Sequence, residues 1–600
     1  MKKSIPVLVC LISFLIPAMS NGQSYNPRYW IEGLFDHAQS TEQFSEEAVT
    51  SKINDAYEKG WRGVTVWGAD RAGSTMNYYF KCSFLEKQNW AVFKSDHLST
   101  VIKAAHAKGM KVMINLEGVN PYHWTQNQWT PENIKAVAED LAKAGVDAVF
   151  EECFEVKPEV FVSLARTLKS KGIDYISGTD PMLLRESSFA ALWPETGIID
   201  IYNYYLKRDK IYNIATLAQH GSLGYGWAKF WNKPTSLISP INRNWGIAAD
   251  YSPAVVPYLC MIRALQFRLD NYIIFGGAAF DRNKIQSWIQ QYVDKQEKHR
   301  PTLNVVVLLN KNPGYSGGEN GNTGWNRLFN SGDAITSGAM NAGYDIVVSD
   351  KVVPADAYYI YAAGGNNNAL PEDVVALFNT NKTVFIQCAN SVPSGKELTS
   401  GWKTVLAKCG VDATKPFVYG AGSDGPSDAS LPENQEQDIP YTGYYNNVYL
   451  RFTGSDVQRG VDLRAGTVIP KDAITGTAYC TPNKTYGKGP YIVGDDKKYL
   501  VTATSLNWEA AYPISNLLSG AGILPSSNVW GIVGKNVTAL IAIETTELNM
   551  TIPGLADGSK IHVVVWDNKM NKSDEEVITY KAPFKRVLKE YDLLLIDTVK

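Results

Sequence analysis

Six hundred residues are more than one hydrophobic core usually holds, so the chain implies several domains or one large barrel with attachments. It is 45% hydrophobic, 20% charged and 12% aromatic, a globular composition that excludes collagen, coiled coil and wholesale disorder. Lys and Arg number 58 against 60 Asp and Glu, a formal charge of −2, which leaves no basic footprint for a nucleic acid. The 16 Trp and 33 Tyr stand out, because flat amphipathic rings both pack cores and stack on sugars.

The N-terminus reads as an address. Lys2 and Lys3 precede an apolar run from Ile5 to Ile16, then Pro17, Ala18, Met19 and Ser20. This is the pattern of a secretory signal peptide over residues 1–23, with export to a bacterial periplasm or beyond. The run is shorter than the roughly 20 residues a bilayer span needs. No later segment has a long uninterrupted apolar stretch, so no membrane span is expected. Apart from Cys10, the cysteines (Cys82, Cys153, Cys260, Cys388, Cys409 and Cys480) are far apart and form no CxxC pair. They read as scattered buried thiols, compatible with a single disulfide.

Eight strand-like runs follow in residues 24–300: Trp30–Asp36, Gly63–Asp70, Lys111–Val119, Asp147–Phe154, Asp174–Asp180, Ile198–Tyr205, Thr235–Pro240 and Asn271–Ala279. Amphipathic segments separate them. Glu47–Lys59 has Ala48, Ile53, Ala56 and Tyr57 at helical spacing. Pro131–Ala144 opens on a proline suited to a first turn and stops at Gly145. Eight helix–turn–strand units in about 250 residues predict a (β/α)8 TIM barrel.

From Thr302 the texture changes. "LNVVVLLNK", "YDIVVSD", "DAYYIYAAGG" and "KTVFIQCAN" continue an α/β alternation, which predicts a flavodoxin-like α/β domain over 301–530. A loop-rich insertion is expected near 411–490. From 531 to 600 the apolar residues alternate with period two, predicting a small antiparallel β domain of sandwich type.

Active sites of such barrels lie at the C-terminal ends of the strands, so the strand tips carry the chemistry. Those tips and the loops after them hold Asp36, His37, Trp67, Asp70, Asn115, Glu117, Trp124, Glu151, Glu152, Asp180, Asn203, Tyr204, Trp227, Trp231 and Trp245. Glycoside hydrolysis uses two carboxyl groups across the scissile bond, one to protonate the leaving oxygen and one to attack or to activate water. Glu151, Glu152, Asp180 and Glu117 are the catalytic candidates. Adjacent strand residues point to opposite faces, so one of Glu151 and Glu152 enters the barrel mouth and the other faces away, unless the turn of the backbone at the tip brings both to the ligand. The alternative for Glu151 and Glu152 is a salt bridge to a neighbouring loop, for Glu117 a hydrogen bond to a sugar hydroxyl or support of another catalytic group, and for Asp180 a helix cap. Asp36, His37, Trp67, Asp70, Asn115, Trp124, Asn203, Tyr204, Trp227, Trp231 and Trp245 are candidates for substrate contact. Asp200 falls early in its strand and reads as structural. Trp61, Trp402 and Trp566 read as packing.

Neither HxH nor HExxH occurs, so no catalytic metal is expected, and no cofactor is implied. GxGxxG after a first strand and GxxxxGK[ST] are likewise missing, which removes support for nucleotide chemistry, and no GxSxG stands at a nucleophile elbow to support serine hydrolysis.

With these residues the chain resembles secreted (β/α)8 glycoside hydrolases of polysaccharide-degrading bacteria. Its layout of barrel, glutamine-amidotransferase-like α/β domain ("DAYYIYAAGGNNNALPEDVVALFNTNKTVFIQCAN") and small β domain is similar to beta-galactosidases with a trimerisation domain. The resemblance implies a carbohydrate substrate and is compatible with a homo-oligomer. It also implies an acid/base Glu at strand four, preceded by an Asn; Glu151 or Glu152 stands at that place, but Glu151 follows Phe150 and the Asn is not there. The clan's nucleophile Glu at strand seven has no counterpart in "TSLISPIN". Adjacent acids on strand four are also similar to N-acetylhexosaminidases that use the substrate's acetamido group. A strand-four nucleophile with Asp180 as acid would be similar to alpha-glycosidases. Two other classes stay open: a catalytically inactive glycan-binding barrel of an uptake system, and a polysaccharide lyase.

Overall fold

The computed structural model describes residues 29–35, 44–72, 75–116, 130–152, 158–179, 191–202, 235–238, 272–274, 304–309, 344–349, 351–362, 369–388, 398–414, 475–480, 490–501, 529–534, 536–542 and 544–599, with isolated positions and two- to three-residue stretches between 228 and 518. Residues 1–28, which hold the expected signal peptide, lie outside this set.

Eight parallel strands close into a barrel. In chain order they are β1 (Tyr29–Phe35) and β2 (Gly63–Trp67), then, after three short strands of a separate sheet, β6 (Lys111–Asn115), β7 (Ala148–Glu152), β8 (Asp174–Thr179), β9 (Ile198–Tyr202), β10 (Thr235–Ile238) and β11 (Tyr272–Ile274). β11 pairs back onto β1 through Trp30 and Ile273. Each of the eight runs read from the sequence holds one of these strands. The second run differs at its end: β2 stops at Trp67, and Asp70 belongs to a new strand. That strand, β3 (Ala69–Ala72), pairs with β4 (Thr75–Tyr78), which pairs with β5 (Ala91–Phe93), making a small sheet directly beyond the C-terminal end of β2.

The helices form where caps and periodicity agree. α1 (Glu46–Glu58) begins at Ser45, whose hydroxyl accepts from the Ala48 amide at 3.2 Å, with Glu46 and Glu47 facing the positive end of the helix dipole. α2 (His97–Ala107) is capped by Asp96 in the same way. Thr130 caps α3 (Pro131–Ala144), Pro131 sits at its first position, and Gly145 ends it at φ +88°, a conformation that costs other residues about 1 kcal/mol or more. α4 (Pro158–Ser170) follows the fourth barrel strand.

Alternation divides each barrel strand into two rows. Val64, Val66, Val112, Ile114, Val149 and Tyr175 form one apolar cluster with the helix residues Val49, Ile53, Val101, Val137, Leu141 and Ala165. The alternate positions Trp30, Thr65, Met113, Asn115, Ala148, Phe150, Ile176 and Ile198 form the inner row, all buried. Each buried aliphatic side chain in these layers contributes about 1.5–3 kcal/mol of transfer free energy.

Residues beyond the barrel build two further sheets. The first has strands β12 (Asn304–Leu309), β13 (Asp345–Ser349), β14 (Ala357–Ala362) and β15 (Thr383–Cys388). After two short pairs, β16 (Val418–Tyr419) with β19 (Thr467–Val468) and β17 (Val448–Tyr449) with β18 (Asp462–Leu463), come β20 (Thr477–Cys480), β21 (Pro490–Asp495) and β22 (Lys498–Val501). The order is β13-β12-β14-β15-β22-β21-β20, parallel from β13 to β22 and antiparallel beyond. Ile346, Val348, Tyr359 and Phe385 on one face join the barrel's apolar cluster. The other face packs Ile360, Val384 and Ile386 with α5 (Glu372–Leu377) and α6 (Ser400–Lys408) through Leu377, Trp402 and Val405.

The last region is antiparallel. β23 (Val529–Ile532), β24 (Val537–Ala542), β29 (Leu593–Thr598), β26 (Lys560–Trp566) and β27 (Lys572–Thr579) form one sheet, and β25 (Thr546–Met550) pairs with β28 (Phe584–Leu588). Leu540, Leu548, Met550, Ile561, Val563, Phe584 and Leu594 fill the core between them. This unit meets the barrel through aromatic rings. Trp566 lies 4.9 Å from the Trp288 ring, and the Tyr258 hydroxyl donates to the Asp567 carbonyl at 2.6 Å. Trp61 and Trp402 are buried, as expected of packing residues, and Trp566 serves this junction.

Candidate active site

The fourth barrel strand, β7, ends in two adjacent carboxylates. Glu151 pairs with Ser177, and Glu152 pairs with Gly178. Glu151 continues the Val149 row, the row turned toward the helices, and is 1% exposed. Ser177 beside it is also fully buried. The side chain of Glu152 lies outside the described residues, while its backbone is part of the strand.

Toward the preceding strands, the tips level with β7 carry Asn115 and Trp67, which pair with each other; Asn115 pairs in turn with Phe150. Asn115 is buried on the inner row, and Trp67 is half-buried at the end of β2. Backbone bonds tie this corner together: the Gly68 amide donates to the Asn115 carbonyl at 2.9 Å, and the Leu116 amide donates to Phe150. Asn115, Trp67 and the Glu151–Glu152 pair are therefore brought to one side of the barrel mouth.

Asp70 sits in β3 opposite Asn77, in the added sheet rather than at the tip of a barrel strand. The signal for that sheet was the alternation over Thr75–Tyr78, where Met76 and Tyr78 are the buried positions. Asp36, His37, Glu117, Trp124, Asp180, Asn203, Tyr204, Trp227, Trp231 and Trp245 lie outside the described residues.

Two titratable groups near the C-terminal ends of the strands are structural. His97 opens α2 with its ring stacked on Phe44 at 3.5 Å and on Tyr79 at 5.1 Å. Burial against these rings disfavours the imidazolium and lowers its pKa to about 4, so it is neutral at physiological pH. Cys82 is a free, buried thiol that burial pushes up to about 11, which leaves it unsuited to nucleophilic work.

The N-terminal end of the barrel differs. Asp147, just before β7, accepts from the Val112 amide at 2.9 Å and from Lys111 Nζ at 2.6 Å, and lies 2.8 Å from His106 Nε2. The neighbouring Asp174 carboxyl is raised by burial. Among the described residues, no cluster of three or more His, Cys, Asp or Glu could hold a metal ion, and no helix is long and apolar enough to cross a membrane.

No family model and no curated protein matches the sequence. Among solved structures, the chain is similar to the beta-galactosidase of the psychrophilic Marinomonas ef1, with a TM-score of 0.51 at 11% identity, covering 95% of this chain and 100% of that one. Weaker likenesses reach the GH27 β-L-arabinopyranosidase of Geobacillus stearothermophilus (TM-score 0.32, 12% identity, 45% of this chain and 76% of that one) and a GH5_18 protein of Streptomyces cattleya (TM-score 0.36, 11% identity, 54% and 94%). The first shows a shared fold along nearly the whole chain. Nothing rests on the other two.

Proposed function

We propose that this protein is an exported glycoside hydrolase that cleaves a poly- or oligosaccharide by carboxylate acid/base chemistry at the C-terminal rim of its barrel. One observation carries the reading: two adjacent carboxylates end the fourth barrel strand, on opposite rows, next to Asn115 and Trp67. Strand alternation gives Glu152 the inner row of Ala148 and Phe150, which makes it the acid candidate. Glu151, buried on the other row, becomes its support. An acid beside apolar surface stays protonated near neutral pH, as protonation of a leaving oxygen requires. Glu117 and Asp180 remain candidates for the second carboxyl group, because β10 carries no Glu for that role.

The fold shared with a beta-galactosidase supports this reading, as does the domain layout we infer: signal peptide 1–23, barrel 24–300, α/β domain 301–530 with a loop-rich insertion near 411–490, and β domain 531–600. The strand order β13-β12-β14-β15-β22 is the 2-1-3-4-5 order of flavodoxin-like sheets, which supports that class for the second domain.

Glu151→Gln and Glu152→Gln, assayed singly on a glycan panel, test the function. Loss of hydrolysis concentrated in Glu152→Gln is expected, and wild-type turnover in both variants would sink the assignment. Glycan binding by the wild type with no product on prolonged incubation would move the protein to the glycan-binding class.

A further inference from the structure

One buried imidazole joins three elements at the tip of the second barrel strand. His97 opens α2, Phe44 stands just before the cap of α1, and Tyr79 follows β4. All three are buried. The His97 ring stacks on Phe44 at 3.5 Å with 4° between the planes, and on Tyr79 at 5.1 Å with 11°. Phe44 in turn lies 5.9 Å from Phe35 at the end of β1.

Backbone bonds carry this stack to the rim. The Leu98 amide donates to the Tyr79 carbonyl at 3.3 Å, the Tyr79 amide to the Gly68 carbonyl at 3.0 Å, and the Gly68 amide to the Asn115 carbonyl at 2.9 Å. A Cβ at Gly68 would stand 2.7 Å from Ile114 Cδ1, so the chain there is wedged against β6. Gly68 follows Trp67, which pairs with Asn115, so two candidates for substrate contact are joined at this corner. Met76, Tyr78, Phe80 and Leu85 anchor the rest of the added sheet and the turn after it in the apolar cluster.

The stacked rings keep water from His97, and burial lowers its pKa to about 4, with Asp96 pulling the other way. Charged groups stand on each element packed around it. Asp96 caps α2 and lies 3.9 Å from Lys81, which follows β4. Glu46 of α1 is bonded to Lys103 of α2, Lys52 of α1 lies over the Phe35 ring, and Lys94 follows β5. Of these it is Asp96 that acts on the imidazole. Asp36 and His37, after β1, lie outside the described residues, so His37 enters the test as a competitor.

We propose that the ring stack is an acid-sensitive latch on the barrel rim: protonation of His97 parts the rings and loosens the corner that joins Trp67 to Asn115, so that substrate binding weakens in acid before the barrel unfolds. The effect on substrate binding rests on the proposed function, whereas the latch does not. Opening is confined to the corner where β4 returns to Gly68 and α2 begins, because the buried side chains of the added sheet hold the remainder in place. The open corner takes its proton near the ordinary value of about 6.5, and the closed one only near 4, so opening grows as the pH falls between the two.

The experiment is residue-resolved hydrogen exchange on the full chain without substrate, from pH 7 to pH 4, read as protection relative to an unstructured chain. Protection of the Tyr79 and Leu98 amides will fall about 20-fold from pH 7 to pH 5, while the Met76 and Lys111 amides keep theirs. His97→Phe, which keeps a stacked ring and takes no proton, will lose this slope, and His37→Asn will retain it. His97→Gln replaces His97→Phe if that variant does not fold. A flat wild-type profile overturns the proposal whether or not the variants fold. So does an equal fall at Lys111, which is global unfolding, an equal slope in a folded His97 variant, or a lost slope in His37→Asn. Protection that rises in acid also overturns it, since the rings then attract the cation more than burial repels it. In an active enzyme the rise of KM in acid will be lost in His97→Phe, and an equal rise in both overturns the link to substrate binding. Because the exchange uses no substrate, absence of hydrolysis on the glycan panel refutes the functional reading alone and leaves the latch to stand or fall on its own result.

Discussion

Strand β7 and the residue before it present two acidic sites at opposite ends of one short element. At the base, Asp147 is met by a backbone amide, a lysine and a histidine. At the tip, Glu151 is buried and Glu152 belongs to the row that opens into the mouth. The base site closes the end of the barrel, because its ionised carboxylate satisfies donors that β6 would otherwise leave unpaired. The tip carries the acid that the proposed function uses. A carboxylate held by donors serves stability, and one beside apolar surface is available for proton transfer.

This contrast can be broken experimentally. The largest expected effect is at the tip. Glu152→Gln will reduce kcat/KM by 10²–10⁴-fold, the typical share of general acid–base catalysis, with its melting temperature unchanged. A large loss of melting temperature in this variant would place Glu152 with the structural acids. At the base the reverse is expected: Asp147→Ala will cost about 1–2 kcal/mol in denaturant unfolding, because it leaves the Val112 amide without its acceptor while the exposed Lys111 ammonium returns to water, and kcat/KM stays within a few-fold of wild type.

His97 sharpens the comparison through pH. Its folded pKa of about 4 lies below the unfolded value of about 6.5, so the unfolded chain binds the extra proton first. Stability is therefore intact above about pH 6.5 and falls as the pH drops toward 4, by on the order of 1–3 kcal/mol. Thermal melts from pH 4 to 7 on the wild type and His97→Phe test this, and an equal pH slope in the two would show that His97 does not contribute. The smallest effect belongs to a cap. Thr130→Ala removes the acceptor for the Asn133 amide at the start of α3 and will cost about 1 kcal/mol, read from the denaturant midpoint, with no change in activity.

Periodicity and capping made much of the fold legible in advance. Pro131–Ala144 forms the helix read from its proline and its glycine stop, and the eight apolar runs each hold a strand of the ring. These signals are local: a cap lies three residues from its amide, and strand alternation repeats every two. The added sheet β3–β5 was missed because its strands are three or four residues long, too short for alternation to stand out from the run before it.

The rim acids were legible as residue types at strand ends, since chain order alone puts Glu151 and Glu152 last on the fourth strand. Their division of labour was not legible. Which of two neighbours faces inward depends on strand phase, and phase is fixed only when Val149 packs among the helices and Phe150 lies over Gly178. Asp200 shows the same limit more sharply. Its early place in the strand suggested a structural role, yet register sets it two steps along the row from Glu152. Sequence determined the elements and the acids they carry, because both follow from neighbours in the chain. Tertiary structure decided which strand positions share a row, because the stagger of a closed barrel joins residues about fifty positions apart and no local pattern encodes it.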